Sequence, residues 1–222
     1  MAVETLTREE IVTRTVELLD DEGLEGLNIR ELGKRLGSAP SAIYWHVKSK
    51  RELIALAGEQ VWTELDLPAF TPADWREAAV KMATGYHAML IRHPWLLQVF
   101  GTFAVYGHNR ARHDDHNLAI FQAAGFAGAT ALLAASSVAT FALGSALASA
   151  GKATLKREFR RSGKHADALI QENIAKFRAT AIQFPHLRQL LEASPRSGKD
   201  ASESSFEFGL QALLDGLESL LS

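Results

Sequence analysis

Residues 30–51, RELGKRLGSAPSAIYWHVKSKR, constrain this chain more than any other stretch of it. Ile29, Leu32 and Leu36 recur at three- and four-residue spacing, so one side of a short helix is apolar and packs on a neighbour. Gly37 follows at once, and glycine supplies the left-handed backbone with which helices commonly end. Pro40 suits the first turn of a new helix, where its missing N–H costs little. Over 40–46 the pattern predicts a second short helix that turns Ile43 and Val47 inward and leaves Ser41, Ala42, Trp45 and His46 outside. Two short helices at a glycine turn, with a basic helix start behind them, have the form of a helix-turn-helix.

Helix starts are written plainly elsewhere too. Thr7 with Glu10, Asn28 with Glu31 and Ser49 with Glu52 set a capping side chain three residues before an acid, and Thr71-Pro72 with Asp74 gives a fourth start. The pattern predicts helices over 8–22, 29–36, 40–46, 50–65 and 72–92, the first stopped by Gly23 and the fifth by Pro94. Further helices are expected near 95–104, 110–124, 127–149, 165–180, 185–193 and 204–221. No stretch alternates at period two, so the fold class is all-α. Residues 152–165 and 194–205 read as polar connections. Pro68 and Pro72 break the pattern around LDLPAFTP, dividing the chain into a helix-turn-helix domain over 1–65 and a larger helical domain over 66–222.

With 222 residues, 47% of them hydrophobic and 23% charged, the chain is long enough to bury a sizeable core. It has no cysteine, which excludes a disulfide framework, a zinc-thiolate site and a cysteine nucleophile together. It carries no nucleophile elbow, phosphate loop, dinucleotide fingerprint or metal-ligand helix, so neither an enzyme nor a cofactor is expected. MAVETLTREE lacks the basic and apolar regions of an export signal, and a cytoplasmic location is expected. Residues 116–151 hold no acid, lysine or arginine, but Ala, Gly, Ser and Thr dominate them and Gly125 to Gly128 interrupt them. They read as a buried helix or a subunit interface rather than a membrane span.

His108, His113 and His116 lie around Asp114 and Asp115, and His113 with His116 could share a helix face as metal ligands. Their spacing meets no established metal motif, so a polar loop and solvated helix start are expected, with no metal. His87 and His93 read as surface or pocket-rim groups.

Around the glycine turn, Arg30, Lys34, Arg35, Lys48, Lys50 and Arg51 stand against Glu31, although the formal charge of the whole chain is -2. Charge placed there meets phosphates, and residues 40–46 offer a small polar and aromatic surface to a groove. The first helix, rich in Glu and Asp, is expected to face away from DNA.

The glycine turn, the P-S-A-I-Y run and above all Y-W-H-V-K-S-K at 44–50 resemble the DNA-binding domain of the TetR family of bacterial repressors. The tetracycline-repressor branch, in which a Trp-His pair follows the tyrosine, is the most similar. The resemblance is strong over 7–65 and weaker through Leu147. It implies that Ser41, Ala42 and Trp45 face bases and that Tyr44, His46, Lys48 and Lys50 anchor phosphates, Lys50 being helped by the helix start at Ser49. Arg30 reaches a phosphate or a guanine, and Asn28 and Pro40 complete the set. A two-fold dimer on a palindromic operator is implied, with residues 127–149 and the stripe Phe206, Leu210, Leu213, Leu214, Leu217, Leu220 and Leu221 as the expected dimer surfaces.

Aromatic and methionine residues of the larger domain read by themselves as plain core. The resemblance adds an alternative, a cavity for a small effector that releases DNA. Its lining would come from Trp62, Asp66, Met82, Tyr86, Met89, Phe100, Phe103, Asn117, Phe121, Thr140 and Phe141. Against the tetracycline branch, Phe100 stands where its metal-linked drug site needs a histidine, and Met82, Thr140 and Ala148 stand where it needs polar or acidic groups. Asp66 replaces another histidine, whereas Tyr86 and Asn117 suit a polar contact. The effector expected is a small, mostly apolar molecule. Magnesium-tetracycline should leave the melting temperature of the protein unchanged in a thermal-shift titration; a strong rise would contradict this reading.

Overall fold

Three of the four helix starts marked by a capping side chain, at Thr7, Asn28 and Ser49, carry their cap, though the caps differ in how much of the pattern they complete. At Thr7 both halves form: its hydroxyl accepts from the Glu10 N–H at 3.2 Å and the Glu10 carboxylate accepts from the Thr7 N–H at 2.9 Å. Asn28 accepts from the Glu31 N–H at 2.8 Å, but the Glu31 carboxylate pairs with Lys34 instead of turning back. Ser49 accepts from the Glu52 N–H at 3.1 Å, while Glu52 reaches one residue further, to the Lys48 N–H at 2.7 Å.

The computed structural model describes residues 6–102, 106–161, 166–193 and 200–221. Four helices come first: α1 (Arg8–Gly26), α2 (Ile29–Leu36), α3 (Pro40–His46) and α4 (Lys50–Val61), the last continued by a 3-10 turn η1 (Trp62–Glu64). Then follow α5 (Trp75–Arg92), α6 (Trp95–Thr102), α7 (His108–Ala123), α8 (Ala129–Arg161), α9 (Ala166–Ala181), α10 (Pro185–Ala193) and α11 (Asp200–Glu218). Among the described residues there is no strand, as the all-α expectation requires.

Several boundaries differ from the sequence expectation. α1 runs on to Gly26 across a kink at Gly23. α5 starts at Trp75 rather than 72, because the Thr71 N–H and hydroxyl both donate to Asp74 and close a turn first. α8 continues through 152–161, where no glycine or proline interrupts good helix formers, so most of that expected connection is helix. α11 likewise takes in 200–205.

α1 packs along α4, α2 on both α1 and α3, and Ile11, Leu18, Leu19, Leu32, Ile43, Val47 and Leu53 fill the space between them. In the larger body α5 lies against α8, whose inner face is Ala131, Ala134, Ala135, Val138, Ala142 and Ala146. Such small residues let two helix backbones approach closely. The segment Ala129–Gly151 is long and apolar enough to cross a membrane by length and composition, yet one face of it is core.

Part of the C-terminal stripe serves its own chain, which corrects its reading as a dimer surface for Phe206, Leu210 and Leu214. Phe206, Leu210 and Leu214 are buried, Leu213, Leu217 and Leu221 pack partly against the core, and Phe206 stacks on His87 and Phe141 at 3.9 and 5.8 Å between ring centroids. Arg76 of α5 clamps the helix from outside through Asp215 and Glu218. A second copy would find Leu132, Leu133 and Leu147 of α8 and Phe208 and Leu220 near the chain end exposed.

The turn between α2 and α3 depends on two glycines. Gly37 sits at φ 61° and ψ 25° and its N–H closes on Lys34. At Gly33 a Cβ would stand 2.8 Å from the Ser38 carbonyl oxygen, a backbone atom held by the 2.9 Å bond from the Ser38 N–H to the Gly33 carbonyl. Gly33→Ala should therefore force the turn open and cost about 1–3 kcal/mol, as overpacking does, read as a lower midpoint in thermal unfolding.

Candidate DNA interface and effector cleft

Burial of two residues aims the short helix α3. Ile43 is wholly buried and Val47 nearly so, which rotates Ser41, Tyr44, Trp45 and His46 outward. Trp45 is 88% exposed and Tyr44 54% exposed. An indole left in water on a structured helix contributes nothing to the core of the described chain. Pro40 occupies the first turn and Asn28 caps α2, with its side-chain amide also donating to Gly26 at 3.2 Å, so both position the motif.

The basic residues sort into two groups. Lys34 pairs with Glu31 at 3.1 Å and Arg35 with Asp21 of α1 at 2.7 Å, which makes them braces within the motif. Arg30 and Lys48 are exposed beside the turn and the α4 start. The Lys50 ammonium, expected at a phosphate, donates to the Leu24 carbonyl at 3.0 Å and so also ties α4 to the kinked end of α1. Several acids of α1 have partners in the chain: Glu17 pairs with Arg14 and Asp21 with Arg35, and Asp20 bonds His93 and Trp95.

A cleft of about 660 Å³ opens between α7 and α8. Arg110, Asp114, Asp115, Asn117 and Leu118 form one wall, Leu132, Ser136, Thr140 and Leu143 the other, with Tyr86 and Tyr106 contributing rings. Its volume lies within the range of small-molecule sites. Burial raises the Tyr86 phenol to about 12, so it stays a neutral donor at any ordinary pH.

Of the expected effector residues, Tyr86, Asn117 and Thr140 line this cleft. Trp62, Met82 and Phe121 do not; they are buried core. Phe100 and Phe141 pack partly buried against that core, the latter on Phe206. Asp66 and Met89 line a separate groove of about 520 Å³ under the η1–α5 connection. Phe103 lies outside the described residues. Sequence reasoning missed Arg110, Asp114 and Asp115, since it read residues 108–116 as a polar loop and solvated helix start, and Ser136, which lies in the stretch it read as a buried helix or subunit interface. The four-residue spacing of Arg110 and Asp114, which do pair at 3.7 Å, was the available signal.

The guanidinium of Arg110 lies over the rings of Trp62, Phe100 and Tyr106, 5.1 to 5.5 Å from their centroids. A fixed cation over Phe100, at the position where a metal-linked drug site needs a ligand, does not fit a magnesium complex. The histidines do not converge either. His113 is buried between Trp62 and Tyr86, whereas His116 faces the Pro68 carbonyl at 2.9 Å. Among the described residues no three His, Asp or Glu side chains are grouped so as to hold a metal ion. His87 and His93, expected at the surface or a pocket rim, are both buried.

Residues 67–221 match the family described as tetracyclin repressor-like, C-terminal domain, and residues 11–57 match the bacterial regulatory proteins of the tetR family. The HTH-type transcriptional repressor DrrR1 of Streptomyces coeruleorubidus is 32% identical over 98% of this chain and 79% of its own length. An HTH-type transcriptional regulator of Saccharopolyspora erythraea is 33% identical over 63% of this chain, which spans 59% of that relative. ActR of Streptomyces coelicolor, solved in complex with actinorhodin, superposes with a TM-score of 0.74 at 25% identity, covering 97% of this chain and 96% of that one. Fold and outward-turned helix thus define a helix-turn-helix regulator of transcription. The chain belongs to the TetR family.

Trp45→Ala should separate reading from folding. Stability in thermal unfolding should stay within about 0.5 kcal/mol of the parent, as for an exposed side chain without partners in the core, while affinity for a bound duplex falls at least tenfold.

Proposed function

We propose that this protein is a dimeric, ligand-responsive transcriptional repressor, with residues 1–65 reading DNA and residues 66–222 binding effector and partner copy. The observation that carries the reading is the exposed Trp45 on a helix held by Ile43 and Val47, beside the basic start of α4. Ser41, Ala42 and Trp45 meet base edges, and Tyr44, His46, Lys48, Lys50 and Arg30 meet the backbone, with Asn28 and Pro40 setting the geometry. One such helix reads few base pairs, so two copies on a palindrome, their readers about 34 Å apart or a multiple of it, supply the discrimination. The protein acts in the cytoplasm, without a membrane and without turnover chemistry.

The effector belongs in the α7–α8 cleft. Leu118, Leu132 and Leu143 suit an apolar body, while Tyr86, Asn117, Ser136 and Thr140 suit a few polar substituents. Two contacts run from this cleft to the DNA-reading end. Trp62 stacks on Tyr86 at 5.4 Å, and Glu59 of α4 caps α7, its carboxylate accepting from the Asn109 N–H and its carbonyl from the Asn109 amide at 3.2 Å. A ligand that moves α7 therefore moves α4. Release requires tighter binding to the DNA-incompetent state, a coupling of about 1–3 kcal/mol.

Selection of bound duplexes from a random library tests the reading: an enriched inverted repeat is expected, and no enrichment over competitor would end it. On the selected duplex, Lys48→Ala should reduce the slope of log affinity against log salt by about one.

A further inference from the structure

We propose that His93 is a positioning residue whose proton locks the DNA-reading helices to the effector-binding body, so that operator binding responds to pH. The inference rests on the DNA-binding reading and goes beyond it, since no ligand of the cleft is involved.

His93 lies at the C-terminus of α5, only 3% exposed, with its backbone pinned at both ends: its N–H donates to the Met89 carbonyl and its own carbonyl accepts from the Leu96 N–H. Each ring nitrogen faces a carboxylate from a different element. Nδ1 is 2.7 Å from Asp20 of α1, and Nε2 is 3.1 Å from Glu64 of η1. From α6 the Trp95 indole N–H also donates to Asp20, at 2.8 Å, and from α5 Arg92 pairs with Glu64. Asp20 and Glu64 thus face the ring directly, and Arg92 faces Glu64. Asp20 falls in the N-terminal family match and His93 in the C-terminal one.

An imidazole with carboxylates on both nitrogens can donate to both only as imidazolium. Burial lowers the pKa of His93, but the hydrogen bonds and charges of Asp20 and Glu64 outweigh it and raise the value above the ordinary one. The sign follows. The folded state holds the proton more tightly than the unfolded chain, so the clamp is fully made below the ordinary imidazole range and is lost as pH rises through the raised value. On deprotonation one nitrogen becomes an acceptor facing a carboxylate, and one of the two links fails. α1 and the α4–η1 rod then gain orientational freedom that DNA binding must remove again.

The test uses the full-length protein and its selected duplex at constant ionic strength, from about pH 6 to about pH 9, a span that brackets the imidazole range. Because His46 on α3 is itself exposed, the comparison is made between His46→Gln and the double variant His46→Gln/His93→Gln, which removes that ring from both curves. In the single variant the dissociation constant should rise about fivefold across the range, the low end of allosteric couplings, with a midpoint matching the His93 ring titration followed by NMR. In the double variant it should be flat. Asp20→Asn in the His46→Gln background should flatten it as well and serves if the histidine variant does not fold. Superimposable pH curves for single and double variants would overturn the proposal while leaving DNA binding intact; absence of any selected duplex would instead remove the functional reading beneath it.

Discussion

Everything this protein presents to a groove depends on the burial of Ile43 and Val47. α3 is only seven residues long, too short to persist by its own backbone hydrogen bonds. It exists because two aliphatic side chains hold it on α2 and in the core shared with α1 and α4, and their direction decides which side chains face outward. The Gly33–Ser38 contact and the left-handed Gly37 set the angle at which it leaves α2. A motif with so few residues needs its surroundings to be rigid, and the braces Arg35–Asp21, Arg8–Glu52 and Lys50 on the Leu24 carbonyl all join α1 to the helices that follow.

α4 turns that small domain into part of a larger mechanism. Its first turn lies just after α3 and its last turn, with η1, belongs to the body: Glu59 caps α7, Trp62 stacks against Tyr86, and Glu64 meets His93 and Arg92. The cleft lies against α7, the helix whose start Glu59 of α4 holds. One rod thus starts beside the exposed face of α3 and ends against Tyr86, a lining residue of the cleft.

The composition of the cleft departs from an aromatic box. The large aromatics of the body, Trp62, Trp75, Trp95 and Phe121, are in the core, where their area stabilises the fold, and the cleft takes smaller apolar side chains with Arg110, Asp114, Asn117, Ser136 and Thr140. Arg110 shows why residue type misleads here. Its guanidinium is spread over three rings and serves as part of the wall rather than as a solvated surface charge.

Local chemistry is legible along the chain itself. Caps at Thr7, Asn28 and Ser49 and the glycine stop at Gly37 follow from interactions spanning four residues or fewer, and the four-residue spacing of Ile43 and Val47 marks which side of α3 is apolar and leaves Trp45 on the other; these are what a linear pattern records. The sequence by itself determined an all-α chain, its helix starts and the face of its reading helix. Tertiary structure alone decided that Phe206 and Leu210 belong to their own chain's core, that Trp62, Met82 and Phe121 stand behind the cleft wall rather than in it, and that His93 joins Asp20 to Glu64. Those outcomes depend on which face of one helix meets which face of another across dozens of residues, and helical periodicity marks a face as apolar or polar without naming what it will meet.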